Sequence, residues 1–368
     1  MVISMKKKID KSILILLIIF SIISVVTIYC SEKLLIDVNY YYIKQIIWYL
    51  IGFLIIFLII KFGNDGIYKH AYILYIISNI LLLLLLIFAD PINEAKCWFT
   101  IKGIGTVQPS EFTKIALIIV LAKECDLFKK KFENPNVKDE FKFLLKIILI
   151  LMPPSLLTFL EPDTGVVLIY FLITIIMLFI TGIRIRWFVM LGLICTLFIG
   201  LVLGIYFLKQ DLFISIFGNS FFLRVNRLLD WSNKSGYQLE NSLVSIGSAG
   251  LFGHGFNIKL YIPEPQTDFI FAVYASVFGI VGSLVLLSLI SIFDIKIINL
   301  GLNTKKNIDR YTLAGIVGML IYQQFQNIGM TFGLMPITGI TLPFISYGGS
   351  SLLSYMIMMG LVFNISKH

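Results

Sequence analysis

Long apolar runs alternate with short polar stretches along almost the whole chain. A bilayer core takes about 20 apolar residues in a tilted helix. Ten runs of that kind are present, over roughly residues 13–30, 44–62, 69–89, 111–124, 143–160, 164–182, 187–208, 268–294, 311–332 and 346–365. The fourth is the weakest, being short and opening with Glu111 and Lys114. The pattern predicts an all-α polytopic membrane protein, one domain over residues 1–368 with about ten transmembrane helices. The longest non-spanning stretch, about 209–267, falls between the seventh and eighth and is expected to be a large extracytoplasmic loop. Lys6-Lys7-Lys8 ahead of the first run resembles a signal peptide, but no small-residue cleavage site follows, so the run is read as an uncleaved span.

Composition agrees. The chain is 58% apolar and 14% charged, against about half and about a quarter in soluble domains, and its mean hydropathy is +0.93. A net charge of +9 would suit nucleic acid if the basic residues were clustered on one surface, but they sit between the apolar runs. With the N-terminus inside, 20 of the 30 lysines and arginines fall on the cytoplasmic side and nine outside. The positive-inside rule therefore places both termini in the cytoplasm and excludes nucleic acid as a partner. Cys30, Cys97, Cys125 and Cys195 show no CxxC spacing, and only His70, His254 and His368 are present. The cysteine spacing argues against a zinc site, a His-rich metal site is excluded on supply, and free thiols are preferred over a Cys30–Cys97 pair.

The polar residues concentrate in four places. The first is Lys96-Cys97-Trp98 with Gln108-Pro109-Ser110-Glu111-Phe112-Thr113-Lys114. Ser110 suits a helix N-cap with Glu111 in the first turn; Lys114, one turn on, makes an intramembrane ion pair, which is either functional or a fixture of a short helix. The second is Glu161-Pro162-Asp163-Thr164-Gly165, where Asp163 is expected first to cap the sixth span and only secondarily to line a cavity. The third is the stretch 209–267, with Arg224, Arg227, Gln238, the glycine run Gly247–Gly255 and Pro263-Glu264-Pro265-Gln266-Thr267-Asp268. The glycine run lacks the GK[ST] ending of a P-loop, so a tight turn with close backbone packing is favoured over a phosphate nest. The fourth runs from Pro336 to Ser351 and includes Ser346; its prolines and glycines break helical hydrogen bonding at membrane depth. Tyr322, Gln323, Gln324, Gln326 and Asn327 in the ninth span cannot face lipid cheaply. All four clusters open outward, which predicts one outward-facing polar cavity.

These residues carry a family likeness. Trp98, the Gln108–Lys114 and Glu161–Gly165 segments, Tyr237-Gln238, Gly247–Gly253, Pro263–Ala272 and the run from Gly339 to Ser351 resemble, in order, the RodA/FtsW/SpoVE (SEDS) proteins. The resemblance implies a peptidoglycan glycosyltransferase of the bacterial cytoplasmic membrane. Such an enzyme polymerises lipid II at the outer face, alongside a class B penicillin-binding protein, in cell shape, division or sporulation. Asp268 matches the family's essential acid, and Trp98, Glu111 and Lys114 match positions associated with its central cavity. Two departures stand out: Tyr274-Ala275-Ser276 where the family usually has paired glutamates, and Glu161 where glutamine is common.

In such a reaction a sugar hydroxyl attacks an anomeric carbon while a lipid pyrophosphate leaves. Asp268 is the candidate base. Arg224, Arg227 and Lys114 are the candidate cations for the leaving group, and a divalent cation, Mg or Mn, is the one cofactor the chemistry admits. Trp98, Glu111, Gln238, Glu264 and Ser346 complete the expected substrate contacts. Inversion needs one base, whereas retention would draw on Glu264 as a second carboxylate. The alternative reading is a transporter that flips lipid-linked precursors, although no internal repeat of the kind such transporters show is visible.

Overall fold

The computed structural model describes residues 9–35, 40–90, 96–101, 105–219, 221–222, 225, 236–256 and 261–367. The chain enters through α1 (Lys11–Glu32), α2 (Tyr41–Phe62), the short α3 (Asn64–Lys69) and α4 (Ala71–Phe88). An antiparallel hairpin, β1 (Phe99–Ile101) with β2 (Gly105–Val107), then leads into α5 (Pro109–Lys131). Next come α6 (Val137–Leu160), α7 (Thr164–Thr181), α8 (Ile185–Leu208) and α9 (Gln210–Phe217). The chain closes with α10 (Tyr237–Ser248), α11 (Ile270–Asn303), α12 (Asn307–Thr331) and α13 (Gly349–Ser366).

Eight of these helices are long and apolar enough to cross a membrane. Two more, α5 and α12, are longer than most spans but polar, and most of their residues are buried. They form the middle of the bundle, packed against each other and against α7, and the apolar helices shield them. A helix thus stands at each of the ten expected runs, eight of them apolar enough to cross a membrane, and the weak fourth run extends to 23 residues because its polar face is buried among other helices. The stretch between α8 and α11 is not simply a loop, since α9 and α10 lie within it.

Local sequence sets the helix ends. Asp10 caps α1, accepting from the Ser12 N–H at 2.8 Å, and Asn136 with Asp139 forms a reciprocal capping box on α6. Ser110 is not the cap of α5; that position is taken by Gln108, with Pro109 as the first helical residue, where a missing N–H costs nothing. Inside α6 the ring of Pro154 leaves the Ile150 carbonyl without its helical donor, and the Tyr75 hydroxyl donates to it at 2.7 Å. A freed carbonyl in the hydrocarbon region needs such a substitute donor.

The same rule governs α11, which breaks at Gly279 (φ 66°, ψ −162°). The glycine-rich turn after α10 inserts its backbone into the break. His254 N–H donates to the Ser276 carbonyl at 2.9 Å and Gly255 N–H to that of Val277 at 3.0 Å, while Ile280 N–H donates back to Gly250 O at 3.1 Å. The backbones approach so closely that a Cβ on Gly253 would lie 2.1 Å from Val277 O, and one on Gly279 would lie 2.5 Å from Leu251 O. Close backbone packing, rather than a phosphate nest, is thus the use made of this run. Both glycines also have positive φ, so alanine at either position meets strain and overlap together. Gly253→Ala and Gly279→Ala are each expected to destabilise the fold by about 1–3 kcal/mol or more. Gly247→Ala, in open space on a helix, should leave the thermal midpoint in detergent level or slightly higher.

Candidate active site

At the end of the bundle where α5, α7 and α11 begin, a cavity of about 560 Å³ opens among loops. Its walls are Trp48, Trp98, Gly105 and Thr106 of β2, Gln108 and Glu111 on one side and Pro162-Asp163 on another. Glu264, Thr267 and Asp268, with Thr338–Thr341 and Tyr347–Ser351, close the remainder.

The floor is non-helical backbone held by buried polar side chains. Asn327 on α12 donates through Nδ2 to two carbonyls at once, Asp268 O and Ile340 O, each at 2.8 Å. Gln326 donates to Pro336 O at 2.7 Å, Ser24 to Ile345 O at 2.8 Å and Tyr49 to Phe344 O. The segment before α11 is tied to the one before α13 by Tyr347 N–H to Gln266 O at 2.8 Å. Two amides of the polar stretch in the ninth span, Gln326 and Asn327, thus substitute for helical donors that residues 336–348 lack, while Gln323 and Gln324 donate to Tyr355 and Asp294.

Four carboxylates line the cavity: Glu111, Asp163, Glu264 and Asp268. Asp268 precedes α11 and does not cap it, since the cap residue is Phe269 and no side chain bonds the first turn. Its carboxyl is half-buried on the cavity wall. Burial, with the charges of Glu264 and Asp163 added, pushes it up to about 6. Asp163 does cap α7, taking the Val166 N–H on Oδ1 at 3.1 Å and Gln108 Nε2 on Oδ2 at 2.8 Å. It is also a cavity acid, pushed up to about 6 chiefly by burial.

Glu111 is held by two neighbours. Lys114 Nζ stands 2.7 Å from its Oε2, a close ionic contact not aligned as a hydrogen bond, and the Ser354 hydroxyl donates to it at 3.2 Å. Lys114 Nζ lies 5.6 Å from the centre of the Tyr355 ring, whose hydroxyl accepts from Gln323 at 3.0 Å. Lys114 has no exposed surface, and a carboxylate and a ring face surround its Nζ.

Of the expected site residues, Trp98, Glu111, Glu264 and Asp268 meet at the cavity. Three expected contacts are corrected. Lys114 sits behind Glu111, is not part of the lining and spends its charge on that partner. Gln238 is exposed on the first turn of α10 and does not reach the cavity. Ser346 is buried with its hydroxyl already used, accepting from Leu342 N–H at 2.8 Å and donating to Thr267 O at 2.7 Å. Arg224 and Arg227 lie outside the described residues. Trp48 was not foreseen; a tryptophan in an apolar run carries no sign that distinguishes a cavity wall from a lipid-facing belt. Among the described residues no three His, Cys, Asp or Glu side chains are grouped to hold a metal ion, and no disulfide joins the four cysteines.

The chain was compared with known proteins. A family model described as "Cell cycle protein", that of FtsW, RodA and SpoVE, matches residues 8–368. The stage V sporulation protein E of Bacillus subtilis (strain 168) is 34% identical over 287 residues, 75% of this chain and 72% of that protein. The probable peptidoglycan glycosyltransferase FtsW of Wigglesworthia glossinidia brevipalpis is 31% identical over 371 residues, 96% of this chain and 92% of that one. Among solved structures, a chain from a peptidoglycan synthase complex, studied for the coordination of polymerization and crosslinking, superposes with a TM-score of 0.80 at 26% identity, covering 97% of each. The rod shape determining protein RodA of Thermus thermophilus gives 0.69 at 27% identity, covering 97% of this chain and 96% of its own.

The buried ion pair yields a direct test. Lys114→Met leaves the Glu111 charge uncompensated and is expected to cost about 3–5 kcal/mol, seen as a fall in the thermal midpoint. The Glu111→Gln/Lys114→Met double variant removes both charges and should recover most of that loss.

Proposed function

The chain belongs to the FtsW/RodA/SpoVE family, and from that premise we propose that it is a peptidoglycan glycosyltransferase polymerising lipid II in the bacterial cytoplasmic membrane. The observation that carries the reading is the half-buried Asp268 carboxyl standing on the wall of an acid-lined cavity at the membrane surface. Its pKa of about 6 leaves it deprotonated at neutral pH yet basic enough to accept a proton, the combination a general base requires.

In the proposed step, a hydroxyl of the acceptor sugar lies against Asp268 and attacks the anomeric carbon of the donor. Asp268 takes the hydroxyl proton as the new glycosidic bond forms, and the bond to the lipid pyrophosphate breaks with its electrons passing to phosphate. One base serves such an inverting displacement. With Lys114 neutralised by Glu111, the leaving charge falls to Arg224 and Arg227. A divalent cation, Mg or Mn, is proposed to share it, because these ions are ordinarily held by one or two carboxylates together with substrate phosphates. Glu264 is the cavity residue that would hold it, and the ion would supply charge neutralisation at the departing oxygen.

The cavity end is assigned to the outer face. The opposite ends of the helices carry Lys61, Lys123, Lys129–Lys131, Lys146, Arg184, Arg186, Lys305 and Lys306, and such an excess favours the cytoplasm, with both termini there. A class B penicillin-binding protein is the proposed partner, supported by the likeness to a subunit of a peptidoglycan synthase complex. The cavity is lined from one end of the bundle only, and below it Leu117, Ile173, Leu320 and Met356 form apolar core. This closure favours polymerisation over passage of a lipid-linked precursor through the protein.

The test uses the protein with its partner and labelled lipid II. Wild type should make glycan chains and Asp268→Asn none, with an acid limb in the wild-type rate whose midpoint lies near pH 6. Translocation of lipid II by Asp268→Asn at the wild-type rate, with no chains formed by either protein, would overturn the assignment in favour of a flippase.

A further inference from the structure

The turn between α6 and α7 holds a buried acid that the reaction above does not use. Glu161, immediately after α6, is 0% exposed, and neither oxygen of its carboxyl group has a hydrogen-bond partner. Among the described residues no ion pair reaches it. The titratable groups around it offer no cation either. Asp163 lies two residues on, and the Cys97 thiol donates to the Glu161 carbonyl at 2.7 Å. On α7, Tyr170 feels the charges of Asp163, Glu161 and Glu111 together; Lys114 on α5 is bound to Glu111, and Lys96, next to Cys97, donates instead to Leu86 O at 3.2 Å.

A carboxylate enclosed without donor or cation is costly enough to take up a proton instead. Burial, reinforced by the Asp163 charge, pushes Glu161 up to about 9. Asp163 ionises first, so its charge opposes ionisation of Glu161, while the neutral Glu161 does not disturb Asp163. Glutamine has the same shape and is neutral at every pH, so it mimics the protonated acid.

The turn matters because Pro162 and Asp163 line the cavity. It is held by Asp163 N–H to Thr158 O at 3.2 Å, by the Cys97 bond and by the two bonds on the Asp163 carboxylate. A charge formed at Glu161 would repel Asp163 and draw the side chain towards water, displacing both.

We propose that Glu161 is a positioning residue of the cavity that works only as its uncharged acid, holding the turn that presents Asp163 and setting an alkaline limit on the reaction. The part concerning the reaction rests on the glycosyltransferase reading. The part concerning the buried acid does not, and the sign of its pH dependence follows from linkage. A carboxyl whose folded pKa lies above its unfolded value of 4.5 contributes fully below pH 4.5, and that contribution is lost progressively as pH rises to about 9.

The experiment compares wild type with Glu161→Gln, both as full chains with the partner protein. Lipid II polymerisation is followed from pH 7 to pH 10, and thermal unfolding without substrate from pH 5 to pH 10. One pH unit above its pKa about a tenth of an acid remains protonated, so the ratio of Gln-variant to wild-type rate should rise about tenfold between pH 7 and pH 10. The unfolding midpoint of the Gln variant should gain on wild type by on the order of 3 °C or more between pH 5 and pH 9, then level off. A protonated-carboxyl infrared band at neutral pH, present in wild type and missing from the variant, reads the same state without activity. Rates that fall together at one pH, with a midpoint difference flat in pH, would overturn the proposal. A widening midpoint difference with no polymer from either protein would instead sink the glycosyltransferase reading and leave the buried acid standing.

Discussion

The Asn327 side chain holds the structure's central compromise. At membrane depth every backbone N–H and C=O must find a partner inside the protein, yet the cavity needs non-helical chain to bring acids from several elements together. One amide, donating to both Asp268 O and Ile340 O at 2.8 Å, fastens the segment before α11 to the segment before α13. Gln326, Ser24 and Tyr49 extend the same service along residues 336–345. Tyr75 does it for the proline-freed carbonyl of α6, and the glycine turn does it for the break at Gly279. Interior polarity in this bundle is mostly hydrogen-bond substitution, and the cavity is what that substitution makes possible.

The charge balance follows from the same architecture. Among the described residues the cavity is lined by four acids and no lysine or arginine, and the nearest lysine is committed to Glu111. Glu111 is buried and Asp163 and Asp268 are half-buried, so their repulsion is screened less than it would be at an open surface. Asp268 and Asp163 move towards neutrality, and Glu161 moves past it. An anionic pyrophosphate substrate entering such a site needs positive charge from elsewhere, which is why the proposed function relies on the arginines at 224 and 227 and on a cation arriving with the phosphates. Burial, with the neighbouring acids added, is also what gives a base of the required strength at Asp268.

Much of this was readable from the chain, for identifiable reasons. Spans are legible because lipid imposes a length and a polarity on them, and the start of α7 because Asp163 acts on backbone within a few residues; the start of α6, set by Asn136 and Asp139, lies ahead of the apolar run from 143 and is not marked by it. The weak fourth span was legible only in part. Its apolar content underestimates it, since α5 is shielded by other helices and has no need to be apolar. Asp163 was read as a cap and is one, but its second use as a cavity acid depends on Gln108 and Asp268, which are distant in sequence.

Gln238 and Ser346 show the opposite error. Both are polar residues beside motif segments, and proximity along the chain does not say whether a side chain faces a cavity, water or a carbonyl that needs a donor. The sequence by itself determined the membrane class, the number of spans, the bias of basic residues to one side and the segments that gather at one end, because each follows from short-range composition against a bilayer. Only the tertiary structure decided which polar atoms remain open to a substrate. That outcome depends on which carbonyls the broken helices leave bare, and on which amide, hydroxyl or lysine stands close enough to be consumed by them.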